Sequence, residues 1–220
     1  MDLGLAAGLS FCTVGGQTLF LDTKRDRYFA LPPAWEDVFL ALRSRGASAG
    51  LTEADLAPLI DAGVISTQRP VRDIRGCARI APVAEALQQP SASTWPWRFA
   101  ALFSYARARL ALSTRSLDRN LAIFVRDKRD MTSRHGIDDR VLQQLVSAFA
   151  WCAPYIGTHD TCLSRSLAMA MLAVRHGISA DWVFGVKTLP FGAHCWIECR
   201  QSVLNDTYEH ASLYTPILAL

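Results

Sequence analysis

Three residues stand in an order that can do nucleophilic chemistry. Cys162 lies in the run GTHDTCLSRSLAMAMLAVRHG, with Asp160 and Thr161 just ahead of it as helix N-cap candidates. The cysteine therefore falls in the first turn of a helix expected to run to about His176 and to stop at Gly177. Unpaired backbone N–H groups and the positive end of the helix dipole stabilise a thiolate there, and the thiolate is the reactive form of cysteine. The helix puts Leu163, Leu167, Ala170, Met171 and Val174 on one face, so Cys162 is not needed to complete the apolar stripe. A lone cysteine is nevertheless more often a buried structural residue than a nucleophile.

The segment AHCWIECRQSVLND changes that balance. Read as a strand, it puts His194, Trp196 and Glu198 on one face and Cys195, Ile197 and Cys199 on the other. If the chain folds back near Arg200 and Gln201, residues whose numbers sum to about 400 stand opposite one another, to within one residue, and His194 faces Asp206. A carboxylate so placed holds one imidazole nitrogen and leaves the other to take a thiol proton. Each residue also has a plain reading: a structural histidine on a half-buried strand, and a turn at Asn205-Asp206. Glu198 and Arg165 can brace such a site or lie at the surface. His135, His159, His176 and His210 have no recognisable partner in the sequence. Zinc competes for Cys and His, but Cys195 and Cys199 share the strand face opposite His194, and no C-x-x-C or H-x-x-x-H pair closes a tetrahedral site, so no metal is expected.

The elements that must position these residues form an α+β chain in two parts. Short extended pieces, Ser10 to Val14, Gln17 to Asp22 and Tyr28 to Leu31, are joined by Gly15-Gly16 and by a charged turn, and Pro32-Pro33 ends the meander. A helix follows from Ala34 to Gly46. A second, capped by Thr52 with Asp55 three residues on, turns Leu56, Leu59 and Ile60 inward before Gly63 and an extended Val64-Ile65. Three strands plus helices make a small winged-helix-like module over residues 1–80. Residues 81–97 continue a stretch rich in Pro, Gln and Ser and read as a linker. Residues 98–220 then begin with helices at Arg98 to Leu112, Leu117 to Val125 and Asp138 to Ala150. They end with strands at Asp181 to Lys187, His194 to Cys199 and Val203 to Asp206.

Composition bounds the rest. Half of the 220 residues are apolar and a fifth charged, which supports a buried core and argues against a disordered chain or a disulfide-stapled miniprotein. No apolar run approaches the roughly 20 residues of a membrane span. Asp2 stands where an export signal needs positive charge, and the six cysteines have no framework spacing, so reduced thiols and a cytoplasmic location are expected. Net charge is +3, with the basic excess confined to the middle of the chain. Its arginines are interleaved with apolar residues as on a solvated helix face, so no nucleic-acid partner is expected.

The residues Cys162-Leu163-Ser164-Arg165-Ser166-Leu167-Ala168, with His194-Cys195-Trp196-Ile197-Glu198 and Leu204-Asn205-Asp206, resemble the transglutaminase-like, papain-like cysteine protease domain. More narrowly they are similar to the lasso-peptide B proteins, which remove the leader from a ribosomally made precursor before a partner closes the macrolactam ring. The likeness covers about residues 95–220. Cys195 stands where a smaller residue is usual, and the turn at Arg200 lacks the usual glycine. The N-terminal meander, Pro-Pro and two helices resemble the leader-recognition domain, akin to the small pyrroloquinoline-quinone chaperone, that is fused to such proteases.

The resemblance implies a cytoplasmic cysteine endopeptidase, without cofactor, with Cys162, His194 and Asp206 as its catalytic triad. It implies a leader peptide added as a strand along Arg27, Tyr28, Phe29, Ala30 and Leu31, with Leu56 and Leu59 on the opposite wall. The implied partners are the precursor and an asparagine-synthetase-like macrolactam cyclase. Two alternatives use the same residues: an acyltransferase on the same triad, and a non-catalytic adaptor that carries the leader while the cysteine is structural.

Overall fold

The computed structural model describes the chain except residues 1–2, 46–49, 68–72, 78–83, 86–91, 132–137 and 157–161. It separates into two compact units, 1–78 and 79–220.

In the first unit, β2 (Leu9–Val14), β3 (Gln17–Asp22) and β4 (Arg27–Ala30) form an antiparallel sheet in that order. Gly15 and Gly16 join β2 to β3 with φ of +58° and +78°, the two left-handed positions that a two-residue hairpin needs and that glycine adopts without strain. Asp22 is buried because its Oδ1 accepts the Lys24 and Arg25 N–H groups and so shapes the next turn. Helices α1 (Pro33–Arg45) and α2 (Glu53–Asp61) pack on the sheet's aromatic centre, where the Phe11, Phe20 and Phe39 rings lie 5.0 to 5.6 Å apart. At α2 the expected capping box is present: Thr52 Oγ1 accepts the Asp55 N–H, and the Asp55 carboxylate accepts the Thr52 N–H. Two short strands, β1 (Gly4–Leu5) and β5 (Ile65–Ser66), then pair antiparallel. At two residues, β1 is too short to leave a periodic signal in sequence.

Beside β2, the Cys77 N–H donates to the Phe11 carbonyl at 3.1 Å, and Gly76 passes so close that a Cβ there would lie 3.3 Å from the same oxygen. Strand β4, on the other side of the sheet, pairs with β3.

In the second unit, α3 (Trp95–Thr114), α4 (Leu117–Met131), α5 (Asp139–Cys152) and α6 (Cys162–Arg175) stand against a sheet. Its strands are β6 (Ala84–Glu85), β7 (Asp181–Thr188), β8 (Phe191–Cys199), β9 (Ser202–Val203) and β10 (Thr215–Ala219), in the order β10-β7-β8-β9-β6. All pairs are antiparallel except β6 with β9. A short α7 (Tyr208–Ser212) links β9 to β10. Helix α3 starts three residues ahead of the expected Arg98, with Pro96 in its first turn, where a missing N–H costs nothing.

Two expectations need correction. The one-sided stripe on α6 is not what the structure buries: Ser164, Ser166, Leu167, Ala168, Met169, Ala170, Leu172 and Ala173 are buried, while Leu163, Met171 and Val174 are half-exposed. α6 is a central helix packed by α3, α5 and β8, so its buried surface wraps round it, and small residues allow the close approach. The strand expected from Val203 to Asp206 also ends at Val203. Arg200 and Gln201 turn the chain with φ of +51° and +65°, a left-handed pair in non-glycine residues that turn composition does not announce. The β8–β9 register pairs Glu198 with Val203 and Cys199 with Ser202 only. No described helix is long and apolar enough to cross a membrane.

Candidate active site

Strand β8 carries His194 opposite Gly185 of β7. Its Nε2 lies 2.5 Å from Asp206 Oδ2. The pairing therefore exists, but Asp206 does not reach it across a ladder: beyond Val203 the chain leaves the sheet in a bend. Asn205 builds that bend. Its Oδ1 accepts the Ile197 N–H at 2.8 Å, and its Nδ2 donates to Ser166 Oγ of α6 at 2.9 Å.

Because the backbone pairing along this edge of β8 ends with the Leu204 N–H on the Ile197 carbonyl at 2.8 Å, the edge at Cys195 faces α6 instead of a strand. The Cys195 carbonyl accepts a hydrogen bond from Ser166 Oγ at 3.0 Å. One turn earlier on α6, the Cys162 sulfur interacts with the Cys195 backbone N–H, the Cys195 thiol and the His194 ring. The open edge explains how neighbours on opposite strand faces, His194 and Cys195, both reach one sulfur atom. With Nε2 committed to Asp206, the His194 nitrogen facing the thiol is Nδ1.

The electrostatics follow from these contacts. The Cys195 thiol, fully enclosed, is pushed well up by burial and stays a donor. Its hydrogen bond to Cys162, followed by the hydrogen bond and charge of His194, outweighs the burial of Cys162 and brings that thiol down to about 4. Burial works against a charged His194, but the Asp206 and Cys162 hydrogen bonds and charges prevail and raise it to about 9. Burial likewise opposes the Asp206 carboxylate, and its hydrogen bonds from His194 and His210 override that and keep it low. Between those values the pair rests as thiolate and imidazolium, poised for nucleophilic attack and for protonation of a leaving amine.

The His194 ring is enclosed by Trp196 at 5.9 Å, His210 at 4.7 Å and Tyr214 at 5.2 Å between centroids. Glu198, buried at 1% exposure, accepts the Trp196 Nε1–H at 2.5 Å, so it fixes the ring beside His194 rather than lying at the surface. Gly185 is required here: a Cβ on it would stand 2.7 Å from the Trp196 ring and 2.9 Å from the Tyr214 Cβ. His210 Nδ1 lies 2.8 Å from Asp206 Oδ2.

Four residues joined to the site were not singled out for it in sequence: Ser166, Asn205, His210 and Tyr214. Of these, only His210 carried a signal, its i+4 spacing from Asp206 across the Thr207 cap. Arg165 is half-buried, and among the described residues no hydrogen bond or ion pair joins it to the site. His176 packs its ring on Trp97 at 4.2 Å. The N-cap candidates Asp160 and Thr161, with His135 and His159, lie outside the described residues.

Among the described residues, His194, Asp206 and His210 offer three ligand atoms within 4.8 Å of one another. Those atoms hold each other at 2.5 and 2.8 Å, closer than two ligands of one tetrahedral zinc stand, so the arrangement fits a hydrogen-bonded group.

In the first unit, Arg27 to Ala30 form β4 and Leu31 is buried just after it. Leu56 and Leu59 are 8% and 0% exposed in the core with Phe39 and Val64. They face inward because α2 needs them against α1 and the sheet, and they do not form the outer wall of a peptide groove.

Residues 99–219 match the model of one protein family, described as the transglutaminase-like superfamily. No curated protein and no solved structure gives a match.

Proposed function

The chain belongs to the transglutaminase-like superfamily, whose domain is consistent with cysteine protease or acyltransferase activity, and from this premise we propose that it is a leader-guided cysteine endopeptidase. Its substrate in this reading is a ribosomally made lasso-peptide precursor, cut between leader and core before an asparagine-synthetase-like cyclase closes the macrolactam. The observation that carries the chemistry is His194 held by Asp206 at 2.5 Å on one side and acting on the Cys162 thiol on the other.

The Cys162 thiolate attacks the scissile carbonyl, and N–H groups at the start of α6, that of Cys162 among them, face the oxyanion. Collapse breaks the C–N bond, and the His194 imidazolium gives its Nδ1 proton to the leaving amine. Neutral His194 then takes a proton from water. The hydroxide cleaves the thioester and the thiolate returns. Asp206 holds the ring by Nε2 throughout and offsets its positive charge.

The leader is proposed to add as a strand to β4 of a winged-helix-like module, along Arg27, Tyr28, Phe29, Ala30 and Leu31. What favours β4 over the other outer strand is that the β2 edge is occupied at Phe11, whose carbonyl accepts the Cys77 N–H. The wall once expected of Leu56 and Leu59 passes to the more exposed Ile60, at 38%. Holding the leader on the same chain raises the local concentration of the cleavage site to about millimolar for a short tether, so weak active-site contacts suffice.

The test is mass spectrometry of a candidate lasso-peptide precursor incubated with wild type and with Cys162→Ala, with and without isolated leader. Cleavage of one bond, lost in the variant and reduced by the competitor, is expected. Product carrying an added amine would make the protein an acyltransferase, and leader binding without cleavage would make it an adaptor.

A further inference from the structure

Asp206 sits in a bend, where no strand ladder fixes its carboxylate. Oδ1 accepts the neighbouring Thr207 N–H at 2.8 Å. Oδ2 receives two imidazoles: His194 Nε2 at 2.5 Å and His210 Nδ1 at 2.8 Å. His210 is itself placed rigidly. Thr207 caps α7, its Oγ1 accepting the His210 N–H at 3.2 Å, and this sets His210 one helical turn from Asp206 with its ring edge-on to His194. The Tyr214 ring closes the other side, 5.4 Å from His210.

We propose that His210 is a positioning residue of the active site: its Nδ1–H anchors the Asp206 carboxylate in the orientation that holds His194 against Cys162. The inference rests on the triad reading above and adds a fourth member to it. Without that donor, Oδ2 keeps only His194 and Oδ1 only the adjacent Thr207 N–H, and the carboxylate turns more readily about its side-chain bonds. His194 then loses part of its hydrogen bond, the imidazolium is less favoured, and the Cys162 thiolate with it. The ionisable groups around His210 are His194 from β8, Asp206 from the bend and Tyr214 after α7, with Lys187 of β7 over the far Tyr214 ring.

The experiment reads Cys162 directly and needs no substrate. The rate of iodoacetamide alkylation at Cys162, followed by peptide mass spectrometry across pH, gives the midpoint of thiolate formation. Tm is recorded for each protein. His210→Ala is expected to raise the midpoint by about one pH unit, a tenfold change. His210→Asn, which places an amide donor where Nδ1 stands, is expected to restore it. His210→Gln keeps bulk but carries its donor one atom too far, so it should behave as His210→Ala and serves if the alanine variant does not fold. In an Asp206→Asn background the His210→Ala shift should vanish. An unchanged midpoint in a folded His210→Ala or His210→Gln protein overturns the proposal, as does a shift that persists with Asp206→Asn. If the variants show these shifts yet wild type cleaves no precursor, the protease reading fails and the role of His210 stands.

Discussion

Ser166 Oγ closes the Cys195 carbonyl at 3.0 Å, one helical turn beyond Cys162, which takes the Cys195 N–H. The first two turns of α6 thus stand in for the strand that β8 lacks at this point. This contact, more than the dipole of α6, fixes the distance between nucleophile and histidine, because the residue after His194 is tied to the helix by both of its backbone groups.

Ser166→Ala leaves a buried carbonyl and the Asn205 amide without their partner. We expect a loss of about 1–3 kcal/mol in denaturant-monitored stability. Slower Cys162 alkylation should accompany it, since β8 is released from α6. Unchanged alkylation with lowered stability would show that Ser166 only supports the fold.

Cys195→Ala removes the thiol that donates to Cys162 while keeping the backbone N–H. The Cys162 value should rise from about 4 toward the ordinary thiol range. Ultraviolet thiolate absorbance against pH measures it, and a midpoint that stays near the wild-type value would refute the role given to Cys195.

Peptide cleavage should follow a bell in pH. Cys162 is lowered, so the thiolate is present above about 4 and lost as pH falls through that value. His194 is raised, so the imidazolium that protonates the leaving amine is present below about 9 and lost as pH rises through it. A profile of kcat/KM with an acid limb near 6.5 and no alkaline limb would contradict the ion pair.

Gly185→Ala places a methyl into the Trp196 ring and against Tyr214, and these flank His194. Overpacking of this kind costs about 1–3 kcal/mol. Cleavage should fall by more than stability alone explains, as judged by activity per folded molecule at a temperature well below the variant's Tm.

Leu59→Ala tests the corrected view of α2. A side chain at 0% exposure should cost about 2–5 kcal/mol on truncation. Leader affinity, measured by titration of labelled leader into the folded variant, should stay near wild type. Ile60→Ala should lower that affinity with little effect on stability, and the reverse pattern would return Leu59 to the groove.

What could be read from the sequence were features with local causes. The Gly15-Gly16 hairpin, the Thr52 capping box, the start of α6 at Cys162, its stop at Gly177 and the extended run from His194 to Cys199 each depend on a few consecutive residues, and each is present in the structure. The choice of Cys162, His194 and Asp206 as a set likewise came from residue type and order.

The manner in which those residues meet was settled elsewhere in the chain. Asp206 reaches His194 from a bend because Arg200 and Gln201 turn the chain in left-handed conformations and Asn205 then ties it to Ser166 and Ile197, bonds that span up to 39 residues. The burial of α6 on nearly all sides and the contact of the Cys195 thiol with Cys162 have the same origin. Sequence pattern records which side chains suit a helix or a strand; which distant groups arrive beside them depends on packing among elements far apart in the chain, and only the tertiary structure decides that.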